Sequence, residues 1–212
     1  MLDERQARAA LTRVARRLHA KGILTATDGN LSARLSGNRI LITPSGCCKG
    51  TVEEADLVVV EGDDVRGSGR PSSEIALHRA VYEARADIAC VIHAHPPHAT
   101  AFAVAGIALD RPILSESILA IGPVPLAPYA LPTRPDLARS IEPFVRDHEA
   151  VLLEHHGAAV WAATVEGAGL LMETLEHVAR IDWLSRALGS RELPSSEVDS
   201  LVALRAALRR GP

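Results

Sequence analysis

Two histidines separated by one residue, His93 and His95, are the side chains of this sequence best suited to chemistry. They follow the apolar run 88–92, which predicts a buried strand that ends near His95. Residues i and i+2 of a strand point to the same face, so both imidazoles should project together. Paired neutral imidazoles are typical ligands of a borderline divalent metal ion. A His-x-His pair is also an ordinary polar feature of a strand edge, and the pair alone leaves both interpretations open.

A second histidine cluster follows another apolar run, residues 151–153. Within His155-His156-Gly157 we favour His156 as a third ligand, and we expect His155 and His98 at the surface or behind the ligands. Gly157 would allow a close backbone approach or a positive φ. Three histidines leave a coordination position open, which is typical of catalytic rather than structural zinc. The two clusters together predict a catalytic metal site.

Glu74 lies near the start of a predicted helix, 73–85, for which Ser72 is the expected N-cap. An acidic residue in a first turn is explained by the helix dipole alone. It could equally be a carboxylate beside the metal that accepts a proton. His78, on the apolar face of the same helix, is predicted to be a hydrogen-bonded core residue.

Three short segments of small and polar residues could bind an anion: Thr27-Asp28-Gly29-Asn30, Thr43-Pro44-Ser45-Gly46 and Ser72-Ser73. Glycine and serine expose backbone N–H groups, and a helix start offers free donors and a positive dipole end. Each segment alone is a weak signal. The sequence contains neither of the glycine-rich nucleotide patterns, so we expect a small phosphorylated ligand rather than a nucleotide.

The elements that must position these groups alternate along the chain. Hydrophobic periodicity predicts helices at 3–21, 73–85, 98–106, 135–146, 165–187 and 195–209. It predicts strands at 30–35, 39–43, 57–61, 88–95 and 149–154, the first two as a hairpin, with short strands and loops over 112–135. We therefore predict one α/β domain over residues 1–212, with a mixed sheet and helices on both faces.

Composition narrows the functional classes. Hydrophobic residues make up 47% and charged residues 23%, the balance of a soluble globular protein with a full core. A net charge of −3 without a basic cluster argues against nucleic-acid binding. We see no apolar leader and no run long enough to span a membrane. Three cysteines predict no disulfide framework, and we expect Cys47-Cys48 to be buried and inert. These features predict a cytoplasmic protein that binds neither membrane nor nucleic acid.

Five segments in order resemble the class II aldolase/adducin family, most closely its bacterial sugar-phosphate aldolases, over nearly the whole chain. They are Gly29-Asn30-Leu31-Ser32, Ile42-Thr43-Pro44-Ser45-Gly46, Pro71-Ser72-Ser73-Glu74, Val91-Ile92-His93-Ala94-His95 and Leu152-Leu153-Glu154-His155-His156-Gly157. The resemblance implies a three-layer α/β/α domain with a central, largely antiparallel sheet. It also implies a homotetramer with active sites between subunits.

The resemblance further implies that His93, His95 and His156 hold Zn²⁺, although Mn²⁺, Co²⁺ and Fe²⁺ suit the same ligands. It implies that Glu74 ligates the resting metal and then acts as the base. The implied phosphate-binding residues are Thr27, Asn30, Ser45, Gly46, Ser72 and Ser73.

The implied reaction is cleavage of a ketose 1-phosphate, such as L-fuculose 1-phosphate, to dihydroxyacetone phosphate and an aldehyde. Glu116 departs from that pattern, because the fuculose-phosphate aldolases place a tyrosine of the neighbouring subunit there. A carboxylate at this place resembles the acid/base of the family's methylthioribulose-phosphate dehydratases, and it could also be a plain surface acid. Three other reactions could use the same site: dehydration of methylthioribulose 1-phosphate, 4-epimerisation of ribulose 5-phosphate, and decarboxylation. A non-catalytic, adducin-like binding protein is a remote alternative.

Overall fold

Seven helices and eight strands make up the described part of the chain. The computed structural model describes residues 3–210, so Met1, Leu2, Gly211 and Pro212 of the predicted domain lie outside it. The helices are α1 (Glu4–Ala20), α2 (Ile75–Ala84), α3 (Pro97–Val104), α4 (Ser115–Ala120), α5 (Pro135–Val145), α6 (Val165–Arg186) and α7 (Ser195–Arg210). The strands are β1 (Asn30–Arg34), β2 (Ile40–Ile42), β3 (Val58–Glu61), β4 (Asp64–Arg66), β5 (Cys90–Ala94), β6 (Leu126–Ala127), β7 (Ala150–Leu153) and β8 (Gly157–Ala162).

All eight strands join one sheet in the order β4-β3-β2-β1-β5-β8-β7-β6. Every neighbouring pair is antiparallel except β6 and β7, which are parallel. The predicted hairpin of β1 and β2 is present, and its tight turn places Gly37 in the left-handed region at φ 72°. The prediction of a central, largely antiparallel sheet is confirmed.

Helices cover both faces of the sheet. One apolar cluster joins α1, α3 and α6 to the first face, through side chains such as Leu11, Phe102 and Met172. The other cluster joins α2 and α5 to the second face, around Val81 and Ile141. Burial of these two clusters is the main stabilising contribution, because apolar area removed from water stabilises by about 25 cal/mol per Å². The predicted α/β/α layering is confirmed.

The first helix shows how local sequence sets an element. Asp3 caps α1 by accepting a hydrogen bond from the Gln6 backbone N–H at 2.8 Å. Leu11, Val14 and Leu18 lie on one buried stripe at helical spacing and pack on the sheet. The helix ends where Gly22 adopts φ 70°. This helix therefore begins and ends where the sequence predicts.

Three elements were missed by the sequence analysis. β8 reads Gly-Ala-Ala-Val-Trp-Ala and is buried on both faces, so it lacks the alternation that marks a half-exposed strand. β4 has three exposed residues and is held only as an edge partner of β3. α4 lies in the proline-rich segment 112–135 and has six residues, too few to be stable alone. Its packing against α6 and α7 supplies what the local sequence lacks.

The helix between β4 and β5 also begins differently from the prediction. α2 starts at Ile75, and Glu74 rather than Ser72 occupies the N-cap position, with φ −100° and ψ 17°. Ser72 forms a turn instead, in which its carbonyl accepts from the Ile75 N–H and its hydroxyl from the Glu74 N–H at 3.3 Å. The predicted Ser72 N-cap is therefore wrong. This turn frees the Glu74 side chain from the helix surface.

The longest helix, α6, has 22 residues and is amphipathic rather than apolar. Thr164 caps it by accepting from the Gly167 N–H at 3.0 Å. Its outward face carries Glu166 and Glu173, which pair with Arg17 of α1. Within residues 3–210, no helix is both long enough and apolar enough to cross a membrane.

Candidate active site

Three adjacent central strands bring the predicted histidines together. Asn30 of β1 lies opposite His93 of β5, and His93 lies opposite Ala159 of β8. His95 comes directly after β5, and His156 comes directly before β8. One nitrogen from each of the three imidazoles lies within 4.8 Å of the other two. The ring centroids are 4.7 to 5.1 Å apart, so the three rings converge on one point.

His93 is held as a neutral imidazole with one nitrogen free. Its Nδ1 donates a hydrogen bond to the Ala158 carbonyl at 2.9 Å. That bond assigns the proton to Nδ1 and leaves the Nε2 lone pair facing the cluster. Burial, with the neighbouring imidazoles of His156 and His95, holds the pKa of His93 well below its usual value. The Nε2 atoms of His93 and His95 are 3.1 Å apart, and two lone pairs at that distance repel unless a proton or a cation lies between them.

The His155-His156-Gly157 turn delivers the third imidazole. His155 is exposed and adopts φ 54°, so the positive φ of this turn belongs to His155 rather than to Gly157. Gly157 serves the other predicted purpose, close approach. A Cβ there would lie 2.5 Å from His95 Cδ2 and 2.6 Å from the Ala94 carbonyl oxygen. No side chain larger than hydrogen fits at residue 157 while His95 keeps this position.

The donor set fits a divalent cation. Burial lowers the pKa of His156, as it does for His93, so both rings favour the neutral, metal-ligating form. The buried His156 Nδ1 has no hydrogen-bond partner within residues 3–210, whereas its Nε2 faces the cluster. Three imidazole nitrogens with a carboxylate beside them are the ligand set that a zinc-type ion prefers. One coordination position would stay free for a ligand.

Glu74 is the carboxylate beside the cluster. Its Oε2 is 3.3 Å from His93 Nε2, and its Oε1 is 3.3 Å from His156 Nε2. Asn30 Nδ2 donates a hydrogen bond to Oε2 at 2.9 Å. The carboxylate therefore bridges two of the three imidazoles while one of its oxygens is oriented by an amide. This arrangement can ligate a metal and can also hold a proton at the site.

A chain of buried hydrogen bonds supports Asn30 from behind. His78 Nε2 contacts Asn30 Oδ1 at 2.5 Å, and His78 Nδ1 contacts Ser32 Oγ at 2.7 Å. The Tyr82 hydroxyl completes the chain at 2.7 Å from Ser32 Oγ. The predicted core histidine is thus buried and hydrogen-bonded, but it also orients the site. His78 lies four residues after Glu74, about one helical turn, and this spacing could have predicted from the sequence that His78 supports the site.

The three predicted anion segments line one pocket of about 180 Å³ next to the histidines. His95, His156 and Glu74 form one wall of the pocket. The predicted phosphate-binding residues all line it, namely Thr27, Asn30, Ser45, Gly46, Ser72 and Ser73. The Asn30 amide points at Glu74, so Asn30 joins the pocket to the carboxylate.

Lys49 also lines this pocket and was missed by the sequence analysis. It is 2% exposed, although lysine is rarely fully buried without a partner. Two features of the sequence could have indicated that Lys49 lines the pocket. It lies three residues after Gly46 of the predicted anion loop, and the chain has only two lysines.

Glu116 lies elsewhere in the same chain. It is exposed on α4 and lines a groove of about 900 Å³ that includes His98 and Glu176. The Glu74 pocket does not include Glu116 among its lining residues. His98 is tied to α6 through a 2.6 Å contact between its Nδ1 and Glu176 Oε1. The structure therefore does not bring Glu116 to the histidine cluster within one chain.

The cysteines are free thiols. Cys90 is buried, and burial raises its pKa, so it stays protonated. Cys47 and Cys48 are only half-buried, which departs from the expected full burial. Cys48 Sγ lies 3.6 Å from His19 Nε2. Burial also raises the pKa of Cys47.

The sequence matches the family described as Class II Aldolase and Adducin N-terminal domain over residues 9–183. The chain belongs to this family. The matched span contains every histidine of the cluster, Glu74 and all the loops of the pocket. Proteins of this family generally depend on a divalent metal ion, and His93, His95 and His156 are the candidate ligands in this member.

Several relatives within the family carry names. The chain is 32% identical over 190 residues to a 3-oxo-tetronate 4-phosphate decarboxylase from Cupriavidus necator, covering 87% of each protein. It is 33% identical over 165 residues to an L-fuculose phosphate aldolase from Escherichia coli, covering 76% of this chain and 74% of the aldolase. The solved structure of YgbL from Escherichia coli superposes with a TM-score of 0.88 at 29% identity, covering 94% of this chain and 99% of YgbL.

These relatives are decarboxylases and aldolases, so this family member is an enzyme of the lyase type. The remote alternative of a non-catalytic binding protein is thereby set aside. The named relatives differ in the group that leaves the substrate, which is CO₂ for a decarboxylase and an aldehyde for an aldolase.

Proposed function

We propose that this protein is a divalent-metal-dependent lyase that breaks a carbon–carbon bond next to a ketone in a small sugar phosphate. The observation that carries the proposal is Glu74, which lies 3.3 Å from two of three converging imidazoles and on the wall of a pocket lined by anion-binding loops. A carboxylate so placed can move a proton at the carbon next to a polarised carbonyl. The net charge of −3, together with the absence of a membrane-crossing helix in residues 3–210, is compatible with work in the cytoplasm on a small molecule.

His93, His95 and His156 would hold the ion, with Glu74 as a fourth, exchangeable ligand. A Zn²⁺ ion bound there supplies Lewis acidity that polarises the ketone oxygen of the substrate. Mn²⁺, Co²⁺ and Fe²⁺ accept the same three imidazoles and carboxylate. We favour Zn²⁺ because nitrogen ligands dominate the set.

The residues of the chain divide the remaining work. Ser45, Gly46, Ser72 and Ser73 would hold the phosphate through hydroxyl and backbone N–H donors. This fixes the ketone next to the histidines, so the reacting carbon meets Glu74. Asn30 keeps the Glu74 carboxylate oriented through its 2.9 Å hydrogen bond. Glu74 then delivers a proton to the carbon that has lost its substituent, or removes one from the hydroxyl that becomes an aldehyde.

Two reactions fit this site, and both pass through the same substrate-derived enediolate. Decarboxylation of a 3-oxo-tetronate 4-phosphate releases CO₂, and one proton added to the remaining carbon gives dihydroxyacetone phosphate. Aldol cleavage of L-fuculose 1-phosphate releases lactaldehyde and, after protonation, gives the same product. We place decarboxylation first, because the similarity to the named decarboxylase extends over 87% of both chains. Glu116 at the place of the aldolases' tyrosine also counts against the aldol reaction favoured by the sequence analysis.

The deciding experiment begins with metal analysis of the purified protein. The protein is then incubated with each of the two substrates. Dihydroxyacetone phosphate is followed by its enzymatic reduction, and CO₂ and lactaldehyde are measured separately. Product with CO₂ from the 3-oxo acid alone would establish the decarboxylase, and product with lactaldehyde alone would establish the aldolase. Failure to release dihydroxyacetone phosphate from either would overturn the proposal and return attention to dehydration or epimerisation.

We also propose that the working enzyme is an oligomer, as the resemblance implies for a homotetramer. Glu116 is exposed and outside the Glu74 pocket of its own chain. An active site that uses both carboxylates therefore needs a second copy of the chain.

A further inference from the structure

The pocket beside the histidines contains a buried ammonium. Lys49 is 2% exposed, and its Nζ donates to the Thr27 carbonyl at 2.6 Å and to the Cys47 carbonyl at 3.0 Å. These two carbonyls belong to different loops of the pocket, one before β1 and one after β2. An ammonium has three N–H donors, and the structure shows protein acceptors for two of them. Lys49 therefore ties the loops together with one donor to spare.

Within the described residues, the charge of Lys49 has no carboxylate partner. No carboxylate among residues 3–210 lies within salt-bridge distance of its Nζ, 4.0 Å. Asp28 and Glu74, the two carboxylates that line the same pocket, have other contacts: Asp28 Oδ2 lies 3.6 Å from His95 Nδ1, and Glu74 bridges two imidazoles. Burial lowers the pKa of Lys49. An isolated buried charge is strongly unfavourable, so an anion bound beside this ammonium would stabilise it.

The choice of lysine is unusual in this chain. The sequence has 21 arginines and two lysines, Lys21 and Lys49. Lys21 is exposed and pairs with Glu173 at 2.5 Å, as surface lysines commonly do. A lysine presents a compact ammonium rather than a planar fork, and here that ammonium is buried against two backbone carbonyls. The two lysines therefore differ in the one respect that matters here, the presence of a protein counter-charge.

We propose that Lys49 determines the specificity of this pocket for a dianionic phosphate, by supplying the counter-charge and by holding the two loops at the spacing that the phosphate requires. The inference deepens the proposed function and rests on it, because it assigns a role within the phosphate pocket. It names a residue that touches the anion, in addition to the hydroxyl and backbone donors of Ser45, Gly46, Ser72 and Ser73.

The lysine content of the chain allows a direct test with the unaltered protein. Protein labelled with ¹³C in lysine alone gives side-chain signals from two residues, and Lys21→Met assigns them. We expect titration with inorganic phosphate to shift the Lys49 Cε signal saturably, with the same dissociation constant that calorimetry measures. The Lys21 signal should stay unchanged and serves as the internal control.

A substitution gives the second measurement. Lys49→Met keeps the length of the side chain and removes its charge. We expect phosphate to bind about 10- to 100-fold more weakly, the usual effect of losing a hydrogen bond to a charged group. Lys21→Met is the matched control and should bind phosphate as the unaltered protein does. If Lys49→Met does not fold, the lysine signals of the unaltered protein still decide the question.

The outcomes separate this inference from the proposed function. Phosphate binding with a static Lys49 signal, or with full affinity in folded Lys49→Met, would overturn the role of Lys49 and leave the phosphate pocket standing. If the unaltered protein does not bind phosphate at all, both the pocket assignment and the role of Lys49 fail. A shifted Lys49 signal together with weakened binding in Lys49→Met would establish the role.

Discussion

Asn30 Nδ2 donates a hydrogen bond to Glu74 Oε2 at 2.9 Å, while Asn30 Oδ1 contacts His78 Nε2 at 2.5 Å. The family resemblance assigns Asn30 to the phosphate. The geometry adds that its amide is held in one orientation by His78 and, in turn, orients the carboxylate. The proposed phosphate pocket and the proposed proton-transfer group, Glu74, are therefore joined through a single side chain.

Glu74→Gln should lower turnover strongly and spare the fold. The amide still accepts the hydrogen bond from Asn30, but it cannot carry the proton. We expect kcat to fall about 10²- to 10⁴-fold, the usual contribution of a positioned acid or base, with bound metal retained by the three histidines. Steady-state kinetics with metal analysis tests this. Glu83→Gln, an exposed acid of the same helix, is the control, and normal turnover in Glu74→Gln would remove Glu74 from the reaction.

His95→Ala should lose most bound metal while the protein stays folded. His95 is partly exposed and lies after β5 rather than within it, so its removal leaves the core intact. The measurement is metal content per chain by elemental analysis, with circular dichroism as the test of folding. His155→Asn is the control, because asparagine tolerates the positive φ of residue 155. Full metal retention in His95→Ala would show that His95 is not a metal ligand.

Glu116→Gln should lower turnover far more than substrate affinity if Glu116 is a second acid/base. Because Glu116 lies outside the Glu74 pocket of its own chain, the test is complementation between subunits. Co-expression of Glu74→Gln and Glu116→Gln chains should restore about a quarter of the sites, each built from the intact halves of two subunits. An unchanged rate in Glu116→Gln alone would show that Glu116 is a surface acid with no role in the reaction. Inactive hybrids would place both residues in one chain.

His78 should make stability depend on pH. Burial, with the nearby His93, lowers its pKa from 6.5 to about 3. Because the pKa of His78 is lower in the folded protein than in the unfolded chain, the stabilisation that its neutral form provides is complete above pH 6.5. It is lost as pH falls towards 3. Each pH unit in that window removes about 1.4 kcal/mol. The difference in unfolding free energy between the unaltered protein and His78→Asn, both metal-free, should therefore shrink as pH falls.

Urea denaturation at several pH values between about 6.5 and 4 measures that difference, within the window set by the two pKa values. His93 and His156 are present in both proteins, so the difference reports what His78 adds, including its interaction with His93. A constant difference across this range would show that the pKa of His78 is the same in the folded and unfolded chains, which would contradict the prediction.

Much of the fold followed from the sequence because its signals are local. The stripe of Leu11, Val14 and Leu18 predicted α1, and the alternation after Asn30 predicted the first hairpin. The His-x-His pair could be placed on one face because strand geometry requires it. The convergence of His93 with His156 was inferable only from the ends of two predicted strands, β5 and β7, meeting. In the structure β8, which the sequence analysis missed, lies between those two strands and pairs with both.

What the sequence did not reveal depends on tertiary contacts. β8 is a run of small residues whose strand state comes from its neighbours β5 and β7. Lys49 gives no local signal of burial, because lysine is ordinarily a surface residue. The N-cap role of Glu74 arises from the Ser72 turn, which competes with helix formation at that point.

The pairing register of β1, β5 and β8 has a consequence for how the protein reaches its native state. Asn30 lies opposite His93, and His93 opposite Ala159. A slip of one residue in β5 would turn His93 to the other face of the sheet and dismantle the cluster. Misaligned sheets would then lack the proposed metal site, so an ion bound there would by mass action stabilise only the correctly aligned chains. An ion present during synthesis would thus raise the yield of native protein, separately from anything it does for the substrate.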